Sequence, residues 1–170
     1  MHYLYHRYSN EVYKFLVYFT RNHDVEDLVQ DTFVRAMKGI GKFRGDNARS
    51  WLISIARNVA IDALRKANRF AFVENRAMDE LNAREKSPEE WVEFKDDEER
   101  ILNTLNAMKV GYKEVVICRA FMDLSSEETA QVLGWSTNRV NVTLYRAIKS
   151  LRAALTEESG GESGDLAKGR

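Results

Sequence analysis

Two kinds of side chain are sorted by their spacing in WSTNRVNVTLYRAIKSLR, Trp135 to Arg152. Val140, Leu144, Ala147, Ile148 and Leu151 recur at steps of three and four, which on a helix makes one apolar stripe. Asn138, Asn141, Tyr145, Arg146 and Lys149 point away from that stripe, and no carboxylate joins them. The cations suit phosphates, while the amides and the ring have the reach to meet base edges or a thymine methyl. A solvated basic face of a helical bundle has the same pattern, so the face alone leaves both readings open.

Two further groups carry chemistry. Arg57, Asn58, Arg65 and Lys66 lie on SWLISIARNVAIDALRK, just after a glycine-broken loop that ends Asp46, Asn47, Ala48, Arg49, Ser50. A loop with both donors and acceptors can cradle a base turned out of its stack while the basic helix holds phosphates, although an ordinary helix connection reads alike. Upstream, HDVEDLVQDTFVRAM presents Glu26, Asp27, Gln30 and Asp31 on one face, suited to a basic partner helix or simply to water.

Other chemistries find little support. Cys118 is a single cysteine in the apolar run VVICRAF, which excludes an internal disulfide and marks a small buried residue suited to a reducing compartment. His2, His6 and His23 have no carboxylate in a ligand-like pattern with them, so no metal site is expected. Neither a phosphate-cradling glycine loop nor a nucleophile motif is present, and no cofactor, small-molecule substrate or catalysis is expected. No secretory signal is evident, and no apolar run approaches the roughly 20 residues that span a bilayer. The expected location is the cytoplasm.

The elements that position these residues are helices throughout. The chain has 170 residues, 44% hydrophobic, one proline, and 26 basic against 26 acidic side chains. Charge is therefore informative only by its distribution: two basic blocks flank an acidic middle. Helical periodicity predicts an all-α fold of two small helical domains, 1–68 and 98–155, joined by a flexible acidic linker, 69–97, and followed by a disordered Gly- and Ser-rich tail, 156–170. A first helix, Tyr3 to Thr20, is expected to be largely buried. Asp24 is placed to cap the second, whose inner stripe is Val25, Leu28, Val29, Phe33, Ala36 and Met37. The third buries Trp51, Leu52, Ile55, Ala56, Val59 and Ala60. In the second domain, Ser125 and Glu128 make a capping box for a short helix that Gly134 stops, giving a helix-turn-helix with the Trp135 to Arg152 stretch.

DVEDLVQDTFVRAMKGIGKF, RSWLISIARNVAIDALRK, the acidic linker and YKEVVICRAFMDLSSEETAQVLGWSTNRVNVTLYRAIKSLR, in that order, resemble a bacterial sigma factor of the extracytoplasmic-function group, over about Tyr8 to Leu155. The resemblance implies sigma region two in the first domain and region four in the second, a protein that binds core RNA polymerase and directs it to promoters. It implies docking on the β-prime coiled coil through Asp27, Gln30 and Asp31, a contact with the β flap, and regulation by an anti-sigma factor. Asn58 stands at the family's minus-ten contact position, beside the base-capturing loop Asp46 to Ser50, with Arg57, Arg65 and Lys66 on phosphates. Arg119, Asn141, Val142, Thr143, Tyr145 and Arg146 occupy minus-thirty-five contact positions. Many members carry a basic residue, a serine and an arginine where this chain reads Asn141, Val142 and Thr143. Asparagine prefers adenine, and Val142 with the Thr143 methyl suits thymine methyls, so a shifted promoter preference is expected. A stand-alone helix-turn-helix regulator is the alternative, but leaves the first domain without a task.

Overall fold

The computed structural model of the chain describes residues 2–74 and 96–161. Among them every regular element is helical: α1 (His2–Thr20), α2 (Glu26–Gly39), a 3-10 turn (Ile40–Lys42), α3 (Ala48–Glu74), α4 (Asp96–Asn106), α5 (Val110–Val116), a π-helical turn (Ile117–Phe121), α6 (Ser126–Leu133) and α7 (Thr137–Gly161). This is the all-α architecture that the periodicity predicts. The chain divides into two compact units, Met1–Val92 and Glu93–Arg170. The expected linker, 69–97, overlaps α3 as far as Glu74 and α4 from Asp96. Its residues 75–95 lie outside those described, as do 162–170 of the expected tail, whose first residues, to Gly161, instead continue α7.

In the first unit, α1, α2 and α3 pack against one another. The first turns of α1 are exposed, Tyr3 and Tyr5 included, and burial begins only at Val12. From Phe15 to Phe19 every residue is buried. The Phe15 and Phe19 rings stack at 5.6 Å. Helix α2 contributes Val29, Thr32, Phe33 and Ala36. The Thr32 hydroxyl donates to the Leu28 carbonyl at 2.7 Å, so its burial leaves no unpaired polar atom. Met37, expected on the inner stripe, is 53% exposed: it lies one residue, about 100°, around the helix from Ala36 and outside the arc its neighbours cover.

The expected Asp24 cap is not formed. Val25 occupies the N-cap position with no side-chain hydrogen bond, and its own burial pins the start of α2. The turn before it is held instead by Asn22 Oδ1, which accepts from the Asp24 amide at 3.0 Å, and by Tyr13, whose hydroxyl donates to the His23 carbonyl at 3.2 Å. Glu26 and Asp27 still place negative charge at the helix start, where the macrodipole favours it. On α3, Leu52, Ile53, Ala56, Val59 and Ala60 are buried, whereas Trp51 and Ile55 are only half-buried. The Trp51 indole stacks on Phe43 at 4.7 Å, covering the base of the preceding loop rather than entering the core.

The second unit closes on Leu102, Leu105, Val115, Ile117, Cys118, Leu124, Val140 and Ala147. Arg100 Nη2 ties α4 to α7 by donating to the Leu155 carbonyl at 3.1 Å. Lys113 is buried with its ammonium donating to Asn106 Oδ1 at 2.7 Å. The stretch YKEVVICRAFM does not run as one α-helix. After the β-branched Val115, Val116 and Ile117, which favour helix weakly, it widens: the Met122 amide donates to Ile117 O at 2.9 Å and the Leu124 amide to Cys118 O at 2.9 Å. Asp123 then takes φ 51 to turn the chain into α6.

The start and stop of α6 follow the sequence. The Glu128 amide donates to Ser125 Oγ at 3.1 Å and the Ser125 amide to Glu128 Oε2 at 2.7 Å, a closed capping box. Gly134 ends the helix at φ 66, a left-handed conformation that costs glycine little.

Candidate nucleic-acid interface

Helix α7 packs Val140, Ala147 and Leu151 inward against α5 and α6, which fixes the face it turns outward. On that face Asn138, Asn141, Val142, Tyr145, Arg146 and Lys149 are exposed, Tyr145 at 71%. From Thr137 to Leu155 the charged residues are Arg139, Arg146, Lys149 and Arg152, all exposed and all basic. A face of one sign with amides and a phenol between the cations can neutralise phosphates and present hydrogen-bonding groups to a groove.

Not every residue of the expected minus-thirty-five set lies freely on that face. Thr143 is half-buried, toward the side of the apolar stripe. Asn141 Oδ1 accepts a hydrogen bond from the Ser126 hydroxyl at 2.7 Å, a tie between the first turn of α6 and the outer face of α7. Arg119 is half-buried in the π-helical turn, and its Nη1 donates to the Leu124 carbonyl, clasping the turn that leads into α6. Nearby, Glu127 is held below the usual carboxylate range, first by its own backbone amide, then by the Ser125 hydroxyl, with the Arg119 charge adding to the effect.

Two contributors escape the spacing argument. Arg139 places its guanidinium over the Trp135 ring at 4.0 Å, a cation–π contact that orders the start of α7. Their i, i+4 relation was legible, but not that Trp135 would lie just ahead of the first turn of α7 with the guanidinium laid on its ring. Ser126 was invisible as a partner of Asn141, because nothing local predicts a bond across the turn.

In the first unit, α3 carries the second basic set. Asn58, Arg65 and Lys66 are exposed and Arg57 is half-buried. The expected base-capturing loop is shorter than the sequence reading has it. Asp46 and Asn47 precede α3, but Ala48, Arg49 and Ser50 form its first turn. Asn47 Oδ1 accepts from the Ser50 amide at 3.0 Å, which is how the helix starts. Ser50 is 1% exposed and so is not part of any surface. Arg49 Nε donates to Glu11 on α1, with side-chain exposures of 28% and 34%, so its charge is engaged across the helix pair.

On α2, Asp27 and Gln30 are exposed, as the acidic-face reading requires, while Asp31 is drawn into a bridge. Arg35 pairs with Asp31 at 3.0 Å and with Asp62 on α3 at 2.9 Å. The hydrogen bond from Arg35 is the main reason Asp62 sits below its ordinary range; Arg65 and Lys66 add to it. Arg35 in turn is raised, first by its bond to Asp62 and then by that to Asp31. The i, i+4 spacing of Asp31 and Arg35 was a readable signal, whereas Asp62 entered only through packing.

Among the described residues no group of three or more His, Cys, Asp and Glu side chains could hold a metal ion, and no helix is long and apolar enough to cross a membrane. His2 and His6 lie one turn apart on α1 with their Nε2 atoms 3.2 Å apart.

Comparison with known proteins agrees with this division of the chain. Residues 4–70 match the family model described as Sigma-70 region 2, and residues 98–151 match that described as Sigma-70, region 4. The RNA polymerase sigma factor YlaC of Bacillus subtilis is 36% identical over 159 residues, covering 91% of each chain. The ECF RNA polymerase sigma factor SigX of the same organism is 31% identical over 155 residues, covering 88% of this chain and 80% of SigX. Among solved structures, CnrH in complex with the cytosolic domain of CnrY matches with a TM-score of 0.65 at 28% identity, over 91% of this chain and 86% of that one; CnrH is from Cupriavidus metallidurans. With one unit matching region two, the other matching region four, and such relatives along nearly the whole length, the chain belongs to the sigma-70 family, as an RNA polymerase sigma factor of the extracytoplasmic-function group.

Proposed function

We propose that α7 docks in the major groove of the upstream promoter element, with Arg146 and Lys149 on phosphates and Asn138, Asn141, Val142 and Tyr145 toward the bases. The observation that carries this is the outward face of α7, where every charge from Thr137 to Leu155 is basic. Arg119 and Thr143 serve there by placement: Arg119 clasps the turn into α6, and Thr143 packs beside the stripe.

In the first unit, Asn58 meets the downstream element as it opens, and Arg57, Arg65 and Lys66 hold its phosphates. Asp46 and Asn47 remain the loop residues placed to meet an unstacked base, with Arg49 and Ser50 supporting the helix start behind them. Asp27 and Gln30, with the outer edge of Asp31, form the docking face for the polymerase β-prime coiled coil, and the second unit meets the β flap. Melting is then favoured by binding energy, because unpaired bases are held and duplex is not; the chain performs no covalent step of its own and acts in the cytoplasm. An anti-sigma factor is its natural inhibitor; the relative CnrH is itself known in complex with the cytosolic domain of CnrY.

Transcription in vitro from a pool of fragmented genomic templates, with core polymerase alone and with this protein added, tests the reading. New discrete start sites that need the protein are the expected result. Loss of those starts in Asn58→Ala and Tyr145→Ala variants that retain wild-type folding would locate the two contacts. Start sites indifferent to both substitutions would overturn the assignment of residues.

A further inference from the structure

We infer that Trp135 is a platform that holds the Arg139 guanidinium ready for a phosphate on one strand of the upstream element. This rests on the proposed docking of α7 in the major groove. The Trp135 amide donates to the Ala130 carbonyl at 3.0 Å, which ties its backbone to the end of α6. Its six-membered ring lies so close to the start of α5 that a Cβ on Gly111 would stand 3.1 Å from Cη2, nearer than side chains ordinarily pack. The missing side chain of Gly111 is thus what admits the indole. Arg139 is ordered at both ends: its amide donates to Ser136 Oγ at 3.2 Å, and its guanidinium carbon lies over the indole at 4.0 Å. Arg139 is nevertheless exposed, and among the described residues no acid pairs with it.

Position around the helix decides which part of the DNA this cation meets. At about 100° per residue, Asn138, Val142 and Tyr145 lie within about 40° of the direction opposite buried Val140, in the middle of the outward face. Arg139 and Arg146 lie about 60–80° from that direction, on one edge of the face and about two turns apart. A helix in the major groove turns the middle of its face to base edges and its sides to the strands that wall the groove. Arg139 therefore joins Arg146 along one strand, as a contact without a base preference of its own. A cation in the first turn is disfavoured by the macrodipole, so Arg139 is not placed there to stabilise α7. A free arginine loses rotamer freedom when it meets a phosphate, whereas one already held over a ring has given up much of it on folding. The indole holds the charge by its face and leaves the guanidinium without a carboxylate that a phosphate would have to displace.

Salt titration of holoenzyme, formed from core polymerase and the full chain, on a duplex promoter recovered in the transcription assay and kept closed by low temperature tests this, between about 50 and 200 mM salt. Thermal unfolding confirms that each variant is folded. Arg139→Ala weakens binding roughly tenfold, the loss of one charge-assisted hydrogen bond, and by the same factor whatever the upstream bases. It also reduces the slope of log K against log salt by about 0.9, one phosphate. Arg139→Lys and Trp135→Leu keep the slope, because a cation still reaches the strand, but weaken binding about two- to fivefold, the value of an exposed cation–π contact. Trp135→Phe, which retains a ring, restores most of that loss. In the Arg139→Ala background Trp135→Leu has no further effect. An unchanged slope in Arg139→Ala, or a loss from Trp135→Leu that persists without Arg139, overturns the role of the pair. If Arg146→Ala also leaves the slope unchanged, the docking of α7 itself is wrong and the proposal falls with it.

Discussion

Replacing Arg49 by alanine separates a structural role from a DNA-reading one, since the motif assigns Arg49 to the loop and the fold engages it with Glu11. Two unit charges about 4 Å apart attract by about 4 kcal/mol at an effective dielectric near 20. Both side chains are roughly two-thirds covered, at 28% and 34% exposure, so desolvation and the ordering of two long side chains remove most of that attraction. A net coupling of about 1 kcal/mol is expected, at the upper end for surface pairs. Because α1 and α3 share one core, the coupling registers in the unfolding of the first unit, where about 1 kcal/mol lowers Tm by about 4–8 °C for a domain of that size. Glu11→Gln, Arg49→Ala and the double variant form a cycle, read by thermal unfolding of the full chain. Open-complex formation is measured in parallel at a temperature where all four proteins are folded. Glu11→Gln should reproduce most of the destabilisation of Arg49→Ala, and neither should abolish opening. A coupling below about 0.3 kcal/mol, with opening lost only in Arg49→Ala, would refute the reasoning and return Arg49 to the DNA.

Further outcomes follow from other contacts. Because the folded-state pKa of Asp62 is depressed, chiefly by Arg35, the stabilisation it brings is present at neutral pH and is lost as pH falls through that lowered value. The stability difference between wild type and Arg35→Ala in urea should therefore shrink below about pH 4; a difference unchanged in strong acid would show that the bridge is not its source. Ser125→Ala removes the capping box of α6 and should cost about 1 kcal/mol, measurable by denaturant unfolding of the second unit. Leu124→Ala, at a wholly buried position beside the π-helical turn, should cost about 3 to 5 kcal/mol and unfold the helix-turn-helix, seen as loss of upstream-element dependence and of protected amides in hydrogen exchange.

The sequence by itself determined the helices, the capping box, the glycine stop and the sidedness of α7, because each rests on contacts within about one turn of the chain. Periods of three and four, a serine three residues before a glutamate, and a glycine after the last apolar residue are local facts that local physics converts into structure. The family likeness was legible for the same reason, as a run of such local patterns in a fixed order. Other details were decided by packing. Val25 starts α2 by being buried, so Asp24 is not needed as a cap. Arg49 is turned toward Glu11, 38 residues away, and Asp31 shares Arg35 with Asp62. Ser126 holds the oxygen of Asn141 across the turn. Which side chains face a partner is a matter of periodicity; which of their hydrogen-bonding atoms are still available depends on neighbours that only tertiary packing brings within 3 Å.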